Sequence, residues 1–413
     1  MNTKRNIFLW VLYDFANSIL AIVFFLYFAQ WIVIDRGVAD IWFNLTFSVA
    51  AFLLLLSAPI SGVLLDKYWR RITGLRYTTL GTALFYGLCA AFAITGQNIP
   101  ALMTFTLGMY FYLLSFTFYT PLLSDISSPE TRGRVSGFGI AANYLGQIAG
   151  ILLVLPIAGG TFSFFNSSPR AETLLPAVII FFLCTLPTLL FFKESPKVAR
   201  VFSLVDEVRG TLKHTKALLA YPGVLAFFLA YFFFNDAILT VANNFSIFLE
   251  QVWRVSDEIK SYILLGILVT SALGGIGAGF IGDRAGHRRT LLVILAGWIV
   301  ILPTVALVLD FTLFIVVITL MGFWFGATWV VSRALMSHLA PSGYNNLAFA
   351  YFGLVERASS FVGPIVWGLI ATNLVALGPV RYRLAATVLT LFIVLGLVAL
   401  FRVEDKVARG ETS

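Results

Sequence analysis

The stretch Tyr13-Asp14-Phe15-Ala16-Asn17-Ser18 places a carboxylate and an amide inside an apolar run that covers about residues 7–34. A run of roughly 20 mostly apolar residues is long enough to cross a bilayer as a helix. An ionisable group near the centre of such a helix costs about 2.5–3.5 kcal/mol and therefore marks a functional position. The segment Phe234-Asn235-Asp236 repeats this arrangement in the second half of the chain. One intramembrane aspartate in each half predicts a transporter with two related lobes.

The composition also predicts a membrane protein. Of the 413 residues, 59% are hydrophobic and 12% are charged, and the mean hydropathy of +0.91 lies outside the range of soluble domains. These apolar residues form long unbroken runs and not short alternating strands, so they predict helices. The sequence therefore predicts an all-α membrane protein with twelve transmembrane helices, at about residues 7–34, 41–65, 74–96, 100–126, 134–158, 173–193, 222–249, 259–282, 288–309, 311–336, 345–374 and 380–402.

The net charge of +8 raises the question of nucleic-acid binding, but lysine and arginine concentrate in the cytoplasmic loops of membrane proteins. With the N-terminus inside, most of the 28 basic residues fall on the cytoplasmic side, and Arg333 and Arg357 lie within apolar runs. This asymmetry predicts cytoplasmic termini and no nucleic-acid partner. Short loops without extra domains predict a multi-pass protein of a prokaryotic inner membrane. The basic residues expected outside are Arg36, Arg170, Arg254, Lys260, Arg381 and Arg383.

Two similar loops divide the chain into lobes, predicted at residues 1–193 and 222–413, with a cytoplasmic linker at 194–221. A Gly-x-x-x-Asp segment followed by arginines comes after the second apolar run and again after the eighth. Glycine lets two helices approach closely, and aspartate can cap a helix or pair with arginine. We therefore expect a cytoplasmic gate formed by Gly62, Asp66, Arg70, Arg71, Gly279, Asp283, Arg284 and Arg288.

These loops resemble the hallmark loop of the major facilitator superfamily. Other motifs resemble its vacuole effluxer-like branch, named for the autophagy-related vacuolar amino-acid exporter. The resemblance implies a major facilitator fold of two pseudo-symmetric six-helix lobes, with helices one, four, seven and ten lining a central cavity. It also implies export of small solutes such as amino acids. The matching motifs lie at Trp10–Ser18, Arg134–Gly139, Asn143–Gly146, Phe234–Asp236, Ser332–Leu335 and Arg357–Pro364.

Polar residues at helical spacing form the candidate substrate and proton pathway. Asp14 and Asn17 are three apart and share a helix face, as do Asp236 and Asn243. Such stripes on apolar helices predict a face toward a water-filled cavity, and interhelical packing bonds are the alternative. The predicted pathway residues are Asp14, Asn17, Asn143, Tyr144, Gln147, Asn235, Asp236, Asn243, Arg333, Glu356 and Arg357.

The intramembrane charges leave several roles open. An arginine without a partner is costly in lipid, so a carboxylate partner such as Asp236 is one solution for Arg357. The residues around Arg357 serve either as a state-dependent gate or as substrate ligands. Asp14, Asp236 or Glu356 could bind and release a proton during transport.

An enzymatic function finds little support in the sequence. His214, His287 and His338 are far apart and lie in or beside predicted cytoplasmic loops. The motifs of metalloproteases, P-loop nucleotide hydrolases and α/β-hydrolases do not occur. We therefore predict no enzyme, no cofactor and no metal.

The preferred function is a secondary active transporter, expected to be a monomer working by alternating access. Its partners would be a small polar or zwitterionic solute, membrane lipids and, as an open option, protons. Export of amphiphilic drugs or lipids is an alternative, which the 40 phenylalanines favour. A receptor or scaffold that transports nothing is a third, which the short loops disfavour.

Overall fold

A computed structural model describes the backbone of residues 3–67, 70–194, 215–341 and 344–403. Throughout these ranges the regular secondary structure is helical, and no strand occurs in them. Twelve spans of described residues are long and apolar enough to cross a membrane. These findings confirm the predicted all-α membrane protein with twelve transmembrane helices. The membrane helices are α1 (Thr3–Val23), α2 (Asp40–Lys67), α3 (Arg71–Ile94), α4 (Asn98–Tyr119), α5 (Pro129–Ala158), α6 (Leu174–Phe191), α7 (Val224–Trp253), α8 (Asp257–Ala285), α9 (His287–Leu307), α10 (Phe311–Leu339), α11 (Asn345–Ala358), α12 (Val362–Asn373) and α13 (Val380–Phe401).

The first and eleventh spans are among those that contain local departures from the α-helix. The first span continues beyond α1 through π-helical turns at Phe24–Phe28 and Trp31–Asp35. The eleventh span is interrupted, because α11 ends at Ala358 and α12 begins at Val362. Breaks of this kind inside a membrane leave backbone groups that other parts of the protein must satisfy. The backbone groups at the break between Ala358 and Val362 therefore need hydrogen-bond partners from other helices.

The chain forms two compact units. The first comprises Met1–Val201 together with Asn243–Glu250 and Val255–Ser261, and the second comprises Phe202–Ala242, Gln251–Arg254 and Tyr262–Ser413. Residues Asn243–Glu250 of α7 and the beginning of α8 up to Ser261 are thus grouped with the first unit. The predicted lobe boundaries stay a prediction. Most of the predicted linker, residues 195–214, lies outside the described residues.

In the first unit, glycines allow α1 and α5 to pack with their backbones close together. A Cβ placed on Gly146 would lie 2.3 Å from the carbonyl oxygen of Phe15, and one on Gly150 would lie 3.1 Å from the carbonyl oxygen of Ile19. Because lipid is as apolar as the helices themselves, close packing and not hydrophobic burial drives such association. The contact fixes the face of α1 that carries Asp14 against α5.

The second unit uses the same device between α8 and α10. A Cβ on Gly326 would lie 1.8 Å from the carbonyl oxygen of Ser271, and one on Gly274 would lie 2.0 Å from that of Phe323. The Ser271 hydroxyl donates to the carbonyl oxygen of Gly322 at 2.9 Å. These backbones can approach only because both helices carry glycine at the crossing.

Candidate functional site

The first candidate site lies on α1, at Asp14 and Asn17. Asp14 is half-buried, and a Cβ on Gly139 of α5 would lie 3.5 Å from its Oδ2. Asn17 is only 1% exposed. Its Oδ1 and Nδ2 atoms make no hydrogen bond of standard geometry among the residues that the structure describes, and the Tyr13 side chain one turn earlier on α1 is the polar group that interacts with them. A buried amide that lacks hydrogen bonds of standard geometry is suited to bind a polar ligand.

The α5 side of this site carries a pair of amides. Gln147 Nε2 donates to Asn143 Oδ1 at 2.7 Å, and both side chains are half-buried. Asn143 lies one helical turn from Gly139 and from Gly146, the two glycines that contact α1. The amide pair therefore shares the face of α5 that packs on α1. Tyr144, the next residue along α5, is also half-buried.

Aromatic residues hold this part of α1 in place against α3 and α4. The Trp10 ring stacks on the Tyr119 ring with centroids 4.9 Å apart, and the Tyr119 hydroxyl donates to the carbonyl oxygen of Trp10 at 2.9 Å. Tyr13 Oη and Thr79 Oγ1 are hydrogen-bonded at 2.8 Å. Supporting bonds of this kind fix the geometry of a binding residue. Trp10 and Tyr13 lie in the motif around Asp14, but the sequence assigned them no supporting role.

Asp236 supports the break between α11 and α12. Its carboxylate accepts hydrogen bonds from the backbone N–H groups of Phe361 at 3.3 Å, Val362 at 3.1 Å and Gly363 at 2.8 Å. The side chain is fully buried. A carboxylate at a helix N-terminus satisfies unpaired amides and complements the helix dipole. Gly363 is required for this approach, because a Cβ there would lie 2.8 Å from Asp236 Oδ1.

Asn235 holds the other side of the same break. Its Nδ2 donates to the carbonyl oxygen of Glu356 at 3.0 Å and to Ser359 Oγ at 2.6 Å. Its Oδ1 accepts from Trp329 Nε1 at 3.0 Å. Two adjacent residues of α7 thus satisfy the end of α11 and the beginning of α12.

The pairing of Arg357 with Asp236 stays a prediction, and the described bonds of both side chains go to backbone groups. The bonds of the Asp236 carboxylate go to backbone amides, and Arg357 Nη1 donates to the carbonyl oxygen of Gly353 at 2.8 Å. The three backbone N–H groups donate hydrogen bonds to the carboxylate and supply the partial positive charge that stabilises it, so an arginine is not required. Asp236 is therefore a brace of the interrupted helix.

A second polar cluster in the second unit surrounds Tyr231, which the sequence analysis missed. The ring is fully buried, and its hydroxyl has no hydrogen-bond partner within the described part of the chain. Glu356, Arg333 and Arg357 are close enough to act electrostatically on this hydroxyl. Arg333 is exposed, whereas Glu356 and Arg357 are half-buried. Tyr231 lies one turn before Asn235, and this i, i+4 spacing is the signal that could have identified it.

Other predicted pathway and gate residues occupy separate places. Asn243 is buried near the end of α7. Gly62 and Asp66 lie in α2, in the part whose side chains are outside those described. Arg71 Nη1 donates to Asp125 Oδ1 at 3.1 Å and to the carbonyl oxygen of Pro121 at 3.0 Å. Arg71 therefore holds the segment that follows α4 against the beginning of α3.

The second predicted gate loop is more open. Gly279 is half-buried on α8 and Arg284 is exposed, as is Arg70 of the first predicted gate loop. Asp283 is 74% exposed and lies 3.6 Å from His287 Nε2. Arg288 Nη2 donates to the carbonyl oxygen of Phe401 at 3.0 Å.

The expectation that the three histidines lie far apart is wrong for His287 and His338. The rings of His287 and His338 have centroids 4.6 Å apart, although the two residues are distant in the sequence. The fold brings the beginning of α9 to the end of α10, a contact that no local pattern indicates.

A cluster of five charged residues lies in the first unit, where the ends of α7 and α8 meet the first and sixth spans. Arg170 bonds Asp35 at 2.6 Å, Glu250 at 2.7 Å and Asp257 at 2.8 Å. Lys260, which is 0% exposed, contacts Glu250 at 2.6 Å and Asp257 at 2.5 Å, and it also donates to Gln30 Oε1. We call Asp35, Arg170, Glu250, Asp257 and Lys260 the five-charge cluster. The sequence had indicated only that Arg170 and Lys260 share one side of the membrane.

The chain is similar to known transporters over most of its length. The model of the family described as "Vacuole effluxer Atg22 like" matches residues 123–413. A multidrug resistance efflux pump PmrA homolog of Lactococcus lactis is 24% identical over 406 residues, which cover 96% of this chain and 94% of that protein. Autophagy-related protein 22 of Kluyveromyces lactis is 26% identical over 179 residues, or 39% of this chain and 34% of that protein.

Solved structures give the fold. The nucleoside transporter NupG superposes with a TM-score of 0.76 at 11% identity, over 97% of this chain and all of that one. A bacterial homolog of the human lysosomal transporter Spinster, in an inward-facing conformation, superposes with a TM-score of 0.73 at 13% identity, over 97% of this chain and 96% of that one. The relatives and neighbours are transporters and not enzymes. The chain therefore belongs to the vacuole effluxer Atg22-like family and is a multi-pass membrane transporter with the major facilitator fold.

Proposed function

We propose that this transporter moves a small polar or zwitterionic solute, with amino acids as the first candidates, by alternating access. The observation that carries the proposal is the buried amide of Asn17, which makes no hydrogen bond of standard geometry within the described part of the chain and has Tyr13 as its polar neighbour. Leaving a buried polar group unpaired costs about 1–3 kcal/mol. A solute that donates to Oδ1 and accepts from Nδ2 recovers this free energy on binding. Asn17 is therefore the proposed solute ligand.

Asp14 supplies the charge that such a solute would need at its amino end. Its half-buried carboxylate lies three residues before Asn17 on the same face of α1. An ammonium group donates strong, charge-assisted hydrogen bonds to a carboxylate. The bonded amides of Asn143 and Gln147 on α5 add further donors and acceptors.

Asp236 has no direct part in solute binding in this proposal, because its carboxylate accepts three backbone amides.

Replacing Asn17 by leucine, which has a similar size, tests the proposal. The variant removes an unsatisfied amide, so it should unfold at a higher temperature than the parent while losing uptake of amino acids into proteoliposomes. Asn98→Ala is the control, because Asn98 bonds the exposed Arg36 side chain away from this site. Normal amino-acid flux in Asn17→Leu would exclude Asn17 as a ligand.

Direction and coupling are further parts of the proposal. Export is supported by the family's description as vacuole effluxers. Asp14 and Glu356 are the proposed proton carriers, because both are half-buried carboxylates in membrane helices. An imposed pH gradient should drive solute flux in the parent and not in Asp14→Asn. Equal gradient-driven flux in both proteins would remove Asp14 from the coupling mechanism.

Export of amphiphilic compounds is the second candidate function. It is supported by the multidrug resistance name of the Lactococcus lactis relative, which aligns with almost the whole chain. Thermal-shift screening separates the two candidates. Amino acids should raise the unfolding temperature if the solute is zwitterionic, and hydrophobic cations should do so if it is amphiphilic.

We also propose that the protein lies in a prokaryotic inner membrane as a monomer, with both termini in the cytoplasm. The distribution of basic residues supports this orientation. Single cysteines introduced at Arg36 and at Arg284, both exposed, should react with an impermeant thiol reagent from opposite sides. Labelling of both from the same side of intact cells would overturn the orientation.

A further inference from the structure

Three phenylalanines project from the loop of residues 161–168, which we call the aromatic loop. Phe162, Phe164 and Phe165 are 58%, 64% and 50% exposed. Moving such a side chain from water to an apolar environment lowers its free energy. Three such side chains within four residues form an apolar tip, and exposing this tip to water is unfavourable.

A buried carboxylate satisfies the backbone of this loop from inside. Glu172 is 0% exposed and accepts hydrogen bonds from the N–H groups of Phe164 at 2.5 Å, Phe165 at 3.3 Å and Ser167 at 2.8 Å. The Ser163 hydroxyl also donates to it at 2.9 Å. The backbone donors behind the exposed rings are therefore paired with protein and do not need water.

The loop also has a defined shape and attachment. Asn166 has a φ of 52°, a left-handed conformation that asparagine adopts more readily than most residues. The Ser168 hydroxyl donates to Asp35 Oδ2 at 2.8 Å, which ties the end of the loop to the first span. The rings are thus presented by an ordered turn.

Chain connectivity places this loop at the membrane boundary. It joins the spans Arg134–Ala158 and Pro169–Phe191, so its ends are held where two helices leave the bilayer. Irregular backbone is tolerated near hydrocarbon only where its polar groups are satisfied internally, and Glu172 meets this requirement. Phenylalanine side chains presented by interfacial segments bury at the boundary between headgroups and acyl chains.

We propose that the aromatic loop inserts Phe162, Phe164 and Phe165 into the interfacial region of the host bilayer. Glu172 is the internal acceptor that lets the loop backbone enter this region. The occupant of the apolar tip is therefore lipid, and the proposal is independent of the solute transported.

Fluorescence quenching in nanodiscs of phosphatidylcholine and phosphatidylglycerol tests the insertion. In a Cys184→Ser background, which leaves the buried Cys89, a bimane label is attached to Phe164→Cys or to Phe165→Cys. The control is Asn166→Cys, an exposed polar position on the same loop. Lipids with a nitroxide near the headgroup should quench the labels at 164 and 165 about twofold or more above the label at 166. Aqueous iodide should show the opposite order.

Two outcomes would overturn the proposal. One is quenching by iodide that is as strong at 164 and 165 as at 166, with no preference for the nitroxide lipids. The other is protection from both quenchers together with a dimer in nanodiscs, which would make a second copy of this chain the occupant. The role of Glu172 is tested by Glu172→Gln in the Phe164→Cys protein, where iodide quenching should rise. Unchanged quenching there would remove Glu172 as the brace.

Discussion

Replacing Lys260 by methionine tests the electrostatics of the five-charge cluster. In the parent, Lys260 and Arg170 neutralise two of the three carboxylates of Asp35, Glu250 and Asp257. The variant leaves one cation against three carboxylates, at a site where the lost ammonium was fully buried. Removing one partner of a buried ion pair costs about 3–5 kcal/mol.

We expect a loss near the lower end of this range, because Arg170 still contacts Asp35, Glu250 and Asp257 in the variant. A loss of about 3 kcal/mol corresponds to a decrease in unfolding temperature of roughly 6–12 °C for a unit of this size. Tryptophan fluorescence during heating in detergent measures this decrease. Arg36→Met is the matched control, because Arg36 is exposed and bonds only uncharged groups among its described contacts, and its unfolding temperature should stay near that of the parent.

A second substitution isolates the charge from the packing. Adding Glu250→Gln to Lys260→Met removes the surplus carboxylate, so the double variant should unfold at a higher temperature than Lys260→Met alone. Coupling between contacting residues of this kind amounts to about 0.5–3 kcal/mol. If Lys260→Met unfolds at the same temperature as the parent, the cluster does not contribute to stability as argued.

Two further predictions concern helix packing and the interrupted helix, both measured by the same thermal unfolding. Gly146→Ala should destabilise the protein by about 1–3 kcal/mol, since its Cβ would lie 2.3 Å from the Phe15 carbonyl oxygen; Gly137→Ala, with open space around it, should not, and equal effects would argue against close α1–α5 packing. Asp236→Ala should cost about 1–3 kcal/mol or more, because three amides lose their acceptor. Asp236→Asn keeps one oxygen and should cost less, and a parent-like Asp236→Ala would disprove the bracing role.

Local sequence patterns were sufficient to predict the membrane helices and some contacts between residues one helical turn apart. The length of each apolar run predicts a span regardless of what packs against it, since lipid imposes the same requirement on every helix. The bond between Asn143 and Gln147 likewise follows from i, i+4 spacing.

The roles of individual charges were harder to predict. Asp14 and Asp236 look alike in the sequence, each an aspartate with an asparagine within three residues inside an apolar run. The structure places Asp14 half-buried beside α5 and leaves Asp236 fully buried against three backbone amides. The helical spacing of Asp236 describes its own helix and carries no information on the break in another helix, more than 120 residues away.

The sequence by itself thus determined the number of spans, the all-helical fold and the family, because these depend on hydropathy and on motifs that are local in the chain. Only the tertiary structure decided that Asp236 braces a broken helix, that Lys260 is buried between two carboxylates, and that Asn17 is buried without a hydrogen bond of standard geometry among the described residues. The physical reason is that hydrogen bonds and ion pairs act over a few ångströms between atoms. Which atoms come that close is set by the packing of helices far apart in the sequence.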